Sequence, residues 1–343
     1  MNALKSVKRI KLSLAPGLEV EFVDRDRAIQ QVIEFGERGT RYPVVVFGPE
    51  GCGKTSWLRQ SAEVLRGLGY DVVYVDPLHR EFLTYTNVKD VVRKFIEVAS
   101  EAIGVAEVKL ATLAIDVVKD ILRVGVSRVA VIVDDVFQAV GIGKAAIYVK
   151  SLLNIIEYPP RSYDRVVVLV ATSEGLSREE IGRHRWAWLK PMWNMCREGF
   201  KELYNKIPEP KPNFEDVWRW TGGNPDTLSR LYQVKWDVDV MVYDIVRKRR
   251  FREFIRSLST EERRWLEEAV EDPDSLFIRE RLPLMSRLVE LNMIVDSIEG
   301  RESWYWIDEP PPEKDLELGI GRYVAWQTPI HKEAVKKVLI EMS

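Results

Sequence analysis

The sequence predicts an α/β fold, with a parallel sheet packed between helices, then a helical unit, then a C-terminal winged-helix unit. Three observations carry this. Apolar runs at residues 44–47, 72–75, 129–133 and 166–170 alternate with helical stretches. Near-continuous Val/Ile runs without polar alternation are what strands covered on both faces look like, and alternation with helices implies parallel pairing through right-handed crossovers. Beyond Pro191 these runs give way to Trp, Lys, Glu and Arg at helical spacing, and beyond Ser259 helices lead into strand candidates around a long loop.

Taken in order, Pro43 to Phe47 reads as a buried strand. Ser56 to Leu68, with Trp57, Leu58, Ala62 and Leu65 at helical spacing, reads as the helix after it. The interval 87–124 is long enough for two helices, and 186–189 is a weaker fifth strand candidate. Helices are expected over 192–204 and 214–232, separated by the proline-rich stretch 207–212. Ser259-x-x-Glu262 is a capping-box signature ahead of a helix through Val270. A second helix, 284–291, leads into a strand over 293–298. Further strands are expected at 303–307 and 323–326, flanking a Pro/Glu/Asp loop, with a last helix over 330–342. The predicted domains are 1–191 for the sheet-containing core, 192–256 for a helical lid and 257–343 for the winged helix.

At 343 residues, 46% hydrophobic and 30% charged, the chain has the composition of two or three folded domains and not of a disordered segment. A net charge of -2 gives no global pull toward nucleic acid or membrane. No apolar run approaches a membrane span and the first residues lack a secretory h-region, while Cys52 and Cys196 are too few for a disulfide framework. A cytoplasmic protein is expected. His79, His184 and His331 are too scattered to build a zinc cluster with two cysteines.

Gly48-Pro49-Glu50-Gly51-Cys52-Gly53-Lys54-Thr55 fits the phosphate-loop pattern G-x-x-x-x-G-K-[ST] between a strand and a helix. Strand, glycine loop and helix aim backbone N–H groups and a helix dipole at one point, where a polyphosphate sits. The predicted cofactor-binding set is therefore Pro49, Glu50, Gly51, Cys52, Gly53, Lys54, Thr55 and Ser56. Lys54 would reach the β- and γ-phosphates of ATP, and the Thr55 hydroxyl would hold Mg²⁺. The apolar strand 129–133 ends in Asp134 and Asp135. Asp134 would coordinate Mg²⁺ through its water shell, and Asp135 would polarise the attacking water. Thr172, at the tip of the next strand, is a candidate contact to the γ-phosphate or the water.

With these motifs in place, the chain resembles the archaeal ATPases of the STAND branch of P-loop NTPases, relatives of AAA+ and origin-recognition ATPases. The resemblance rests on Phe22-Val23-Asp24-Arg25-Asp26, Gly48 to Thr55, Asp134-Asp135 and Thr221-Gly222-Gly223-Asn224-Pro225. It implies an ASCE-type P-loop ATPase core with a helical lid and a C-terminal winged helix. It also implies adenine contacts for Val23 and Arg25, and for Pro225 in the lid turn. The chain departs from the pattern twice. Glu174 stands where many relatives place a sensor arginine, and the lid turn offers Asp226, with Arg230 a turn later, where a lid arginine is common. Arg178, Arg183 and Arg185 are possible substitutes.

Two uses of the nucleotide are open. One is a conformational switch that binds a protein partner or self-associates, with the winged helix packed on the core as a regulatory lid. The other is a DNA-associated ATPase using the basic run Arg247-Lys248-Arg249-Arg250-Phe251-Arg252, which continues to Arg256. The candidate wing from Asp308 to Glu317 is strongly acidic and would be repelled by duplex phosphates, which favours the switch. Most of the eleven tryptophans are expected in core or interdomain packing.

Overall fold

The computed structural model describes residues 7–86, 88, 93, 107–172 and 175–342. The chain forms two compact units: Met1–Ile10, Asp26–Phe47 and Lys54–Lys190 in the first, Lys11–Arg25, Gly48–Gly53 and Pro191–Ser343 in the second. In chain order a hairpin of the second unit comes first, β1 (Lys11–Ala15) antiparallel to β2 (Leu18–Glu21).

The first unit holds α1 (Asp26–Arg38), β3 (Val44–Phe47), α2 (Lys54–Gly67), β4 (Asp71–Asp76), β5 (Glu81–Tyr85) and α3 (Glu107–Arg123). These are followed by β6 (Arg128–Val133), α4 (Val136–Val140), α5 (Ala145–Glu157), β7 (Arg165–Ala171), α6 (Gly175–Gly182) and β8 (Trp188–Pro191). The sheet order is β5-β4-β6-β7-β3-β8, with β4, β6, β7 and β3 paired in parallel. The four Val-rich runs are these central strands, and their side chains are almost wholly buried. β5 is an addition: it pairs antiparallel with β4 at the edge, and its half-exposed Glu-Phe-Leu-Thr-Tyr lacks the apolar run of a central strand. The other outer strand begins at Trp188, two residues later than expected, because Trp186 stacks on His184 at 3.9 Å instead of extending. Of the two helices expected over 87–124, α3 is present and the remainder lies outside the described residues.

In the second unit, α7 (Arg197–Asn205) starts five residues later than the expected 192. Met192 instead bridges Ile307, and Trp193 meets Trp306 edge-on at 6.5 Å. The expected helix 214–232 is two, α8 (Phe214–Thr221) and α9 (Pro225–Gln233), broken where Gly222 and Gly223 adopt φ of 56° and 80°. At Gly223 a Cβ would stand 2.3 Å from the Met195 carbonyl oxygen, so only glycine fits this turn. The basic run is likewise not one helix: α10 (Val238–Lys248) and α11 (Phe251–Ser257) are separated by Arg250 at φ 50°. α12 (Thr260–Glu271) carries the predicted capping box, Ser259 and Glu262 each bonding the other's backbone N–H. α13 (Leu282–Glu290) precedes β9 (Ile294–Val295), which pairs antiparallel with β10 (Ala325–Trp326) before α14 (Pro329–Glu341). These strands have two residues each, shorter than expected. Residues 303–307 form no named strand; there Trp306 is buried and its indole N–H donates to the Gly300 carbonyl at 2.6 Å. Among the described residues no helix is long and apolar enough to cross a membrane.

Candidate nucleotide-binding site

In the first unit, the carboxyl ends of β4, β6, β7 and β3 lie side by side, where ligands bind in open α/β sheets. α2 opens on Lys54, 6% exposed, and Thr55. The Thr55 hydroxyl is hydrogen-bonded to Asp134 at the tip of β6. Tyr74 donates its phenol to Asp134 Oδ2 at 3.2 Å, while Oδ1 is buried with no hydrogen-bond partner among the described residues. Burial first, then the charges of Asp135 and Asp76, push the Asp134 carboxyl up to about 7. A buried carboxylate with an open oxygen and two acids nearby is a set of donors that a divalent cation satisfies. Asp135 is half-buried, in left-handed backbone (φ 40°) at the N-cap of α4.

Thr172 is 2% exposed just past β7. Its N–H donates to Val46 and its hydroxyl shares a 2.8 Å bond with Ser177. Ser173 and Glu174 lie outside the described residues. Of the substitute arginines, Arg178 is buried with its guanidinium 5.1 Å from the centre of the Phe47 ring, Arg183 is ion-paired to Glu180 at 3.0 Å, and Arg185 is exposed.

The phosphate loop itself, Gly48–Gly53, belongs to the second unit, whose residues occupy its backbone groups one after another. Glu50 N–H donates to Gln327 Oε1 at 2.8 Å, and Glu50 C=O accepts from Asn224 Nδ2 at 2.9 Å. Gly51 C=O accepts from Asp226 N–H at 3.3 Å, and Cys52 C=O accepts from Arg25 Nη2 at 2.6 Å. The Glu50 carboxylate pairs with Arg249, which outweighs burial and lowers its pKa. Two glycines are needed for this close approach. A Cβ at Gly48 would stand 1.9 Å from Met192 O, and one at Gly51 (φ 77°) 2.4 Å from Asp226 Cβ. Ser56 is half-buried in the first turn of α2.

Arg25, for which the resemblance implies an adenine contact, is 3% exposed and engaged by three protein groups: Cys52 C=O, Trp193 C=O at 3.0 Å, and Asp308 at 2.8 Å. Val23 packs with Val20, Met195, Phe200 and Leu228. Pro225 is the first residue of α9, half-buried, behind the N-cap Asn224 that holds Glu50. Gln327, which accepts from the loop, and Asp308, which pairs with Arg25, were pointed to by no motif, and Arg249 was named only in the basic run. Asp308 in particular was read as part of an acidic exposed wing, yet it is 4% exposed and ion-paired.

A strand, a glycine loop and a helix opening on Lys-Thr, with an acid at the tip of a parallel strand one place beyond the neighbouring strand, are the core of a P-loop ATPase. The chain belongs to the family described as an ATPase domain predominantly from Archaea, which matches residues 22–231. Similar solved structures include the ORC2 protein of Aeropyrum pernix in its ADP form, at 12% identity over 92% of each chain with a TM-score of 0.44. The ORC1 protein of the same organism in complex with DNA aligns at 14% identity over 93% of each chain, TM-score 0.37. The RuvB Holliday junction branch migration motor of Thermotoga maritima aligns at 14% identity over 80% of this chain and 90% of that one, TM-score 0.38. No curated protein sequence matches the chain.

Proposed function

We propose that the protein is a Mg²⁺-dependent, slowly hydrolysing ATPase that works as a nucleotide-controlled switch, passing the state of its phosphate loop to a protein partner or a second copy of itself. The observation that carries this reading is the attachment of the loop backbone, at Glu50, Gly51 and Cys52, to Gln327, Asn224, Asp226 and Arg25. A phosphate entering the loop acts on peptide groups that the second unit also holds, so nucleotide binding and the arrangement of that unit are thermodynamically linked. On this reading residues 192–256 are the helical lid and 257–343 the winged helix of a STAND-type ATPase. Val23, Arg25 and Pro225 frame the base, Arg25 through the loop carbonyl it holds.

In the reaction the loop N–H groups and the Lys54 ammonium bind the β- and γ-phosphates. Thr55 and Asp134 would hold Mg²⁺, which neutralises the charge of the phosphates when bound. Asp135 orients and polarises the attacking water, and Thr172 marks the γ-phosphate position. An aspartate reaches one methylene less far than the glutamate common in AAA+ enzymes, which supports slow turnover.

Duplex DNA is the competing partner. Its support is thinner than the sequence implied, because Arg249 pairs with Glu50, Arg252 with Glu341 and Lys248 with Asp244. Arg247, Arg250 and Arg256 remain exposed, with no ion pair among the described residues. The test replaces those three by Ala, sparing Arg249. The switch predicts unchanged ATP affinity and no salt-dependent duplex binding in either protein. Tight duplex binding with a log–log salt slope near -0.9 per neutralised phosphate, flattened by the change, would establish the DNA reading instead.

A further inference from the structure

Side chains alternate along β4: Val73 and Val75 enter the large apolar core, while Tyr74 faces the side covered by α2. Tyr74 pairs with Ile132 of β6, and Asp134 comes two residues later, the step that returns a side chain to the same face. That register brings the phenol within 3.2 Å of Asp134 Oδ2. Tyr74 is 1% exposed, in a strand whose other residues between the two end aspartates are all Val. A phenylalanine would fill the same space, and a buried hydroxyl costs free energy unless it is hydrogen-bonded. The hydroxyl is therefore accounted for by Asp134 and not by packing. Arg59 of α2 hydrogen-bonds the same phenol and is ion-paired with Glu81 of β5. A guanidinium can only donate, so the phenol oxygen accepts from Arg59 and its one proton goes to Asp134. The chain of donors has a single direction, from Arg59 through Tyr74 to the carboxylate. It takes up Oδ2 and leaves Oδ1 buried, without a hydrogen-bond partner among the described residues.

We propose that Tyr74 is a positioning residue for Mg²⁺: it fixes the Asp134 carboxylate by Oδ2 and so presents Oδ1 to the cation or its water shell, with Arg59 keeping the phenol in its donor orientation. This rests on the Mg²⁺-dependent ATPase reading above and adds two residues that its motifs lack. A carboxylate held at one oxygen cannot turn about its Cβ–Cγ bond, so nothing at Asp134 has to be ordered as the cation binds. Outer partners of this kind orient the groups that hold a metal, and losing one lowers metal affinity about 10–100-fold.

The test uses Mn²⁺ as the cation, titrated by electron paramagnetic resonance into protein saturated with a non-hydrolysable ATP analogue. Calorimetry gives the analogue affinity with and without the cation, and thermal melts establish that each variant is folded. Tyr74→Phe should lower Mn²⁺ affinity roughly 10-fold or more, with the analogue affinity measured in chelator unchanged. Arg59→Gln should lower it less, and adding Arg59→Gln to Tyr74→Phe should cost nothing further, because Arg59 acts through the phenol. A folded Tyr74→Phe protein with wild-type Mn²⁺ affinity would overturn the proposal. So would one that loses analogue affinity equally with and without the cation, which is what a merely structural role produces. If Tyr74→Phe does not fold, Arg59→Gln is judged by the same two outcomes. A wild type whose analogue affinity is the same with and without Mn²⁺ would remove the metal reading itself, a result visible without any variant.

Discussion

Lys54 and Thr55 open a helix of the first unit, whereas Gly48–Gly53, the six residues before them, belong by their contacts to the second. The first region works through side chains: an ammonium, a hydroxyl and the Asp134 carboxylate, each part of a recognised spacing. The second works through backbone. Its peptide groups are held by Arg25, Asn224, Asp226 and Gln327, which come from three distant parts of the sequence. On the proposed reading, one region supplies the chemistry of phosphate transfer and the other couples it to the C-terminal half.

The contrast can be broken from either side. The largest effect is expected for Asp135→Asn, which should leave ATP bound while lowering phosphate release about 10²–10⁴-fold, the span for a positioned acid–base group. Lys54→Ala should weaken ATP by roughly 2–5 kcal/mol, as for removal of one partner of a buried charge pair, and calorimetry checks it. Both changes act within the first unit and should leave the thermal melt of the apo protein nearly unmoved.

On the other side, Asp308→Ala strands the Arg25 charge where the two side chains are 4% and 5% exposed. Breaking such a pair costs about 3–5 kcal/mol in urea unfolding. Glu50→Gln removes a pair with side chains 28% and 42% exposed, and about 0–1 kcal/mol is expected.

In pH, the two regions should respond with opposite sign. Burial first, then Arg249, depresses the His331 pKa to about 3. Unfolded chains bind that proton below about 6.5 while the folded protein does not, so its contribution is lost as pH falls from 6.5 toward 3. Asp134, raised to about 7, is protonated in the fold where the unfolded chain has already ionised. The apo protein should therefore lose stability as pH rises from about 4 to 7. In melts across pH, His331→Gln should flatten the acid side and Asp134→Asn the neutral side.

The same contrast separates what was readable in the sequence from what was not. The four central strands announce themselves because burial on both faces demands unbroken Val and Ile. Lys54 and Thr55 announce themselves because the phosphate-loop pattern fixes their spacing, and Asp134 because it ends an apolar strand. β5 is a half-exposed edge strand with no such demand, and the helix breaks at Gly222 and Arg250 depend on single backbone conformations. Asp308 was misread because a Pro/Glu/Asp-rich stretch looks solvated until the partner, Arg25, is placed against it 283 residues away. Gln327 acts on a backbone group, which every residue offers alike, so no pattern of side chains reveals it.

The linkage between loop and C-terminal half is tested most directly by the ADP affinity of Gln327→Leu, measured by calorimetry beside wild type and confirmed folded by its thermal melt. Removing the acceptor of the Glu50 N–H leaves a part-buried donor unsatisfied unless the loop rearranges, at about 1–3 kcal/mol as the upper span for a fully buried donor. The account predicts an ADP affinity changed by roughly fivefold or more, in either direction, with Lys54 and Asp134 untouched. A folded Gln327→Leu protein with wild-type ADP affinity would contradict it.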